Sequence, residues 1–122
     1  MENATKTDPR ALAITYLSSW KARDFDTLRG VLAPDVTFRG VLGATDGVDA
    51  TLAGLRGMAE IVSDFVVQRM VVDGDDGMTW YDFHSTVCEP MPTVNWSHVR
   101  NGRIRAVRAV LDPRPLLTAQ AL

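Results

Sequence analysis

The sequence is short of most residues on which an easily recognised chemistry is built. It holds one cysteine, Cys88, and two histidines, His84 and His98. A single thiol rules out a disulfide within the chain and makes a reducing, cytoplasmic setting the expectation. Neither charge dominates: 13 Lys and Arg stand against 15 Asp and Glu, a formal net charge of −2. Nothing in that balance calls for a nucleic acid or an anionic membrane as partner. No apolar run approaches the roughly 20 residues of a membrane span. The polar stretch from Met1 to Thr7 carries no apolar targeting region. Gly-x-Gly-x-x-Gly and Gly-Lys-Ser/Thr are both missing, so no nicotinamide, flavin or other cofactor is expected.

The residues that are present suit one domain. The chain has 122 residues, 46% hydrophobic and 23% charged, enough apolar surface to bury a core. Residues 8–115 read as that domain, with 1–7 and 116–122 as flexible or docking tails. Asp8-Pro9 offers a cap followed by proline at the first helical position. Ala13, Tyr16, Leu17 and Trp20 then share one helical face. Asp24 caps a shorter helix with Phe25, Leu28 and Leu32 on one side, ended by Pro34. Val36-Thr37-Phe38 predicts a short strand, and the glycine-bearing stretch 40–47 a loop. Val48, Leu52, Leu55, Ala59 and Val62 mark a third helix, to about Ile61.

Strands follow. They are predicted over 65–72, 78–87, 93–99 and 103–111. Gly74-Asp75-Asp76-Gly77 and the strong hairpin signal Asn101-Gly102 supply turns. Pro90 and Pro92 are expected outside any central ladder. Helices first and antiparallel strands after predict an α+β fold.

The stretch Tyr16-Leu-Ser-Ser-Trp-Lys-Ala-Arg-Asp24-Phe-Asp26, continuing through Pro34-Asp35-Val-Thr-Phe38, resembles the helix–turn–helix–strand segment of the nuclear-transport-factor-2-like, or cystatin-like, superfamily. The likeness runs from about Asp8 to Leu111 and is greatest to its SnoaL-like and ketosteroid-isomerase-like branch. It implies N-terminal helices packed into a strongly curved antiparallel sheet that forms a cone-shaped pocket. It also implies a homodimer through the sheet.

Carried over by position, the resemblance places Tyr16 as an oxyanion donor and Trp96 as the second donor. Gly40 falls where ketosteroid isomerases keep the aspartate that moves the proton. Ala109 falls where SnoaL-like cyclases and epoxide hydrolases keep an acid on the last strand. Epoxide hydrolases also need an Arg-x-Asp that Trp80-Tyr-Asp-Phe-His84 lacks. Asp112 substitutes for the missing acid only if the strand end curls inward.

With alternation set by that resemblance, Tyr81 and Phe83 point inward, and so do Val94, Trp96 and His98. The expected cavity is then built from Tyr16, Trp20, Phe38, Tyr81, Phe83, Trp96 and His98, and it receives a hydrophobic, possibly cyclic compound. A core filled by its own aromatics is the alternative. His98 is either a general acid or base or a hydrogen-bonded core histidine. A slip of one residue would bring Asp82 and His84 inside instead. As read, that pair faces outward and lacks a third metal ligand, so no metal is expected.

Arg100, Arg103, Arg105, Arg108 and Arg114 form a basic run that reads as a solvated face. Two functions remain: cofactor-free acid–base isomerase, cyclase or hydrolase chemistry, with Tyr16, His98 and Asp112 as the catalytic candidates, or a non-catalytic ligand-binding or interaction module.

Overall fold

The computed structural model describes the backbone of residues 8–121, and side chains as far as residue 119. The predicted tail 1–7 lies outside those residues. Helix α1 spans Pro9–Ala22. The Asp8 carboxylate accepts from the Arg10 backbone N–H at its start, and Arg23, left-handed at φ 58°, closes it. Helix α2, Phe25–Val31, follows at once, capped by Asp24 through Thr27. Strand β1 runs Leu32–Gly40, far longer than the predicted Val36–Phe38. A short strand β2, Ala44–Asp46, occupies part of the predicted loop. Arg39 fixes it by pairing with Asp46 at 2.9 Å and donating to the Thr45 carbonyl. Helix α3 covers Val48–Ala59.

Strands β3 (Val62–Asp73), β4 (Asp76–Ser85), β5 (Met91–Arg100) and β6 (Arg103–Leu111) complete one six-stranded sheet in the order β2-β1-β6-β5-β4-β3. Every pairing is antiparallel except β1 with β6, which is parallel. Register shifts at Val62/Asp64, Val67/Arg69 and His98/Val99 bend the sheet around the helices, as bulges do. Asn101 (φ 55°) and Gly102 (φ 76°) both adopt the left-handed backbone that a two-residue hairpin of this type requires.

One sequence expectation needs correction here. Pro92 sits inside β5, opposite Asp82 of β4. The missing N–H is tolerated because β6 ends at Leu111, opposite Thr93, so the ladder at Pro92 has a neighbour on one side only. The segment after Pro113 forms helix α4, Arg114–Ala121, and its Leu116 is buried in the core.

The core lies between the concave face of the sheet and one side of α1–α3. Leu12, Tyr16, Leu17 and Trp20 of α1 meet Leu52, Leu55 and Ala59 of α3 there. Val36, Tyr81, Phe83, Val99, Ile104 and Val107 rise from the strands. The first helix buries the i, i+3, i+4, i+7 stripe seen in the sequence, which is what couples its position to the sheet.

Candidate functional site

The helices do not fill the concave face completely. A cavity of about 270 Å³ remains between α1, α3, the β1–β2 loop and strands β4–β6. Its size is near the lower end of small-molecule pockets, roughly 300–1,000 Å³. Tyr16, Trp20, Phe38, Tyr81 and Phe83 all line it. Leu55, Met58 and Leu111 add aliphatic wall, and Val41 and Leu42, about half exposed, stand at its rim.

The aromatic wall is rigid. The Trp20 indole packs on Phe65 with centroids 4.8 Å apart and meets Phe83 edge-on at 6.0 Å. Its N–H donates to the Leu55 carbonyl at 2.8 Å. That bond ties α1 to α3 and uses the only hydrogen bond the indole can give.

The polar side chains of the lining include Tyr16 of α1, Tyr81 of β4, and Thr93 and Asn95 of β5. The Tyr81 hydroxyl donates to Asn95 Oδ1 at a long 3.4 Å. The Tyr16 hydroxyl is fully buried and has no hydrogen-bond partner among the described residues. Burial raises both phenols far above the ordinary tyrosine range. The neighbouring Tyr81 raises Tyr16 further, and the bond to Asn95 partly offsets the rise at Tyr81. Both therefore stay protonated at neutral pH. Thr45 and Thr51 share a 2.9 Å hydrogen bond at another part of the lining.

Gly40 and Ala109, where the resemblance leads one to look for acids, are direct partners in the β1–β6 ladder and both line the cavity. A Cβ on Gly40 would stand 2.9 Å from the Phe38 ring, so the aromatic ring fills the space beside it.

Three site candidates lie elsewhere. His98 and Trp96 are not in the cavity, because the inward residues of β5 are Met91, Thr93, Asn95, Ser97 and Val99. The alternation expected for β5 is off by one residue, and Val94, Trp96 and His98 occupy the convex face. There Asp76 Oδ1 lies 2.8 Å from His98 Nδ1 and accepts from Trp96 Nε1 at 3.1 Å. Asp112 does not curl inward either. It is exposed at the end of β6, where Arg114 clasps both carboxylate oxygens at 2.7–3.0 Å and also donates its backbone N–H. Those bonds hold the carboxyl below its usual range.

On β4, Tyr81 and Phe83 face inward while Asp82 and His84 face out. Gln68 donates to Asp82. Among the described residues no three His, Cys, Asp or Glu side chains come together as a metal site.

The sequence reading missed Asn95, Thr93, Thr51 and the rim residues Val41 and Leu42. For Asn95 and Thr93 the signal was present. Val99 and Ile104, apolar on either side of the hairpin, pair with each other and are both buried. Counting back by twos from Val99 gives Ser97, Asn95 and Thr93.

Comparison with known proteins agrees with this geometry. Residues 13–107 match the SnoaL-like domain. A protein from Kribbella flavida is 26% identical, with a TM-score of 0.85 over 90% of this chain and 91% of that one. IdmH from Streptomyces antibioticus, a candidate polyketide cyclase, is 22% identical, with a TM-score of 0.78 over 94% and 99%. An epoxide hydrolase from M. tuberculosis is 20% identical, with a TM-score of 0.76 over 98% and 91%. No curated protein matches. Among the described residues no helix is long and apolar enough to cross a membrane.

Proposed function

The chain belongs to the SnoaL-like domain family, and from that premise we propose that it is a receptor for a compact, hydrophobic, ring-containing compound bearing an oxygen acceptor. The carrying observation is the apolar cavity of about 270 Å³ walled by Tyr16, whose hydroxyl is closed off behind that wall and has no partner among the described residues. A buried donor left unsatisfied costs roughly 1–3 kcal/mol. A ligand carbonyl, ether or phenol oxygen would recover this once a small shift of the Tyr16 ring opens the hydroxyl to the cavity, and the Tyr81–Asn95 pair offers a second contact.

The described lining contains no carboxylate, imidazole, amine or thiol. A site of this kind donates hydrogen bonds and polarises an oxygen, but it removes no proton by itself. Ligand binding is therefore the primary reading. Any isomerisation, cyclisation or hydrolysis would draw its base from water or from the ligand. The reading of a cytoplasmic protein rests on Cys88, which has no second cysteine to pair with.

A thermal-shift titration with bicyclic ketones and phenols, alongside alkanes of similar size, tests this. Ligand at about 100 times its Kd adds roughly 2.7 kcal/mol to stability. The expected outcome is a rise for the oxygenated ring compounds that shrinks in Tyr16→Phe. A flat response across a soluble panel overturns the reading.

A second role is favoured by the convex face. Trp80, Val94 and Val110 form one row across β4, β5 and β6, and Val71, Met78 and Trp96 form the next. Trp80 is 47% exposed and Val110 64%. We propose that a second copy of the chain covers this face, so that the two concave cavities stay open. Sedimentation of the wild type should give a dimer, and Trp80→Glu should give a monomer with an intact cavity. A monomeric wild type at micromolar concentration removes this role.

A further inference from the structure

At the end of the sheet away from the cavity rim lies a second concavity, an open cleft of about 320 Å³. It is walled by Ala33, Pro34 and Asp35 at the start of β1 and by Arg100, Asn101, Arg103 and Arg105 of the β5–β6 hairpin. The five arginines that look like one basic run in the sequence are thus divided. Arg108 stands on the convex face opposite Trp96, and Arg114 is held by Asp112. The remaining three line this cleft.

Their arrangement is unusual for a solvated face. Arg100 and Arg103 are direct partners across the hairpin. Like charges so placed repel, and neither makes an ion pair within the described residues, although the chain carries more acids than bases. The left-handed Asn101 and Gly102 fix the turn that holds them opposite each other. Arg105 is oriented from behind: its Nε donates to Asp35 Oδ2 at 3.2 Å, and among the described residues no hydrogen bond engages its terminal nitrogens. Ala33 and Pro34 supply an apolar wall.

We propose that this cleft is an anion site for a small molecule carrying a phosphate or diphosphate group. Three guanidiniums against the single Asp35 carboxylate leave two positive charges. A phosphate of about −1.5 to −2 matches that excess, and a monocarboxylate does not. Planar guanidinium forks donate to phosphate oxygens two at a time, which arginine does better than lysine. The site is separate from the apolar cavity, because the parallel β1–β6 ladder runs from Leu32 and Ile104 beside the cleft to Gly40 and Ala109 at the cavity.

The test is a titration of the full chain with inorganic phosphate at low ionic strength, followed by amide resonances and matched by a chloride titration at equal ionic strength. Phosphate is expected to shift Asn101 and Gly102 saturably, and chloride is not. Arg100→Ser/Arg103→Ser should weaken binding about tenfold or more, the equivalent of one charge-assisted hydrogen bond. The double variant should melt no lower than the wild type, because it removes a repulsion. Arg29→Ser, on α2, should leave binding unchanged. Shifts that never saturate, or that persist in the double variant, overturn the site. A short oligoribonucleotide that binds these residues more tightly than phosphate overturns the small-molecule assignment in favour of nucleic acid.

Discussion

Two hydrogen-bonded clusters stand back to back on β4 and β5. On the concave side, Tyr81 bonds Asn95 at 3.4 Å beside the unpartnered Tyr16 hydroxyl, all buried and uncharged. On the convex side, Asp76 holds His98 at 2.8 Å and Trp96 at 3.1 Å, with the His98 and Asp76 side chains 37% and 46% exposed. The carboxylate and the imidazole are on the outside, where water screens them. The groups inside are too desolvated to ionise. Strand alternation thus separates proton chemistry from the cavity, with the strand backbone between them.

The largest contrast should appear in alkali. Tyr16 and Tyr81 are raised in the folded state above the ordinary value of 10.0. The unfolded chain therefore loses those protons first. The stability they contribute is complete below pH 10 and is lost as pH rises towards their folded values. At pH 11 each tyrosine should cost about 1.4 kcal/mol, read from denaturant unfolding at pH 8 and pH 11. Tyr16→Phe should lose about half of that pH dependence.

At neutral pH the same Tyr16→Phe change should act in the same direction. It removes an unsatisfied buried hydroxyl and should stabilise the empty protein by about 1 kcal/mol, while weakening ligand about tenfold. A variant that is less stable and binds as before would show that the hydroxyl has another role. The outer cluster should respond least. His98→Ala or Asp76→Asn should change stability by less than about 1 kcal/mol, as half-exposed pairs do, and leave ligand affinity alone. Loss of binding in His98→Ala would erase the distinction between the two faces.

How much of this could be read from the chain depended on how strongly one face was marked. Helix α1 was legible because Tyr16, Leu17 and Trp20 bury one stripe behind a cap at Asp8. Tyr81 and Phe83 were legible because Asp82 and His84 alternate with them on β4. Strand β5 misled because its alternation came from the resemblance, which turns Val94, Trp96 and His98 inward, and hydrophobicity raised no objection: the large apolar Val94 and Trp96 in fact turn outward and polar Thr93, Asn95 and Ser97 inward. Hydrophobicity argues for the wrong face wherever a sheet covers a partly polar cavity on one side and exposes an apolar patch on the other. Asp112 misled for a local reason, since nothing in the strand announces that Arg114 two residues later will clasp it. The cleft of Arg100, Arg103 and Arg105 depends on the approach of β1, a contact between distant parts of the chain.

The parallel seam between β1 and β6 also governs the order of assembly. Leu32 must wait for Ile104, and Gly40 for Ala109, before that side of the cavity has a second strand. During synthesis at ~5–20 residues per second, those partners emerge about 4–14 s later. Helices α1 and α2 can form early from local contacts, whereas the seam between β1 and β6 closes a loop of roughly seventy residues, a slow step by its topology. The cavity is therefore complete only once β6 has been made, and a chain stalled before β6 exposes the apolar surface that the finished cavity encloses.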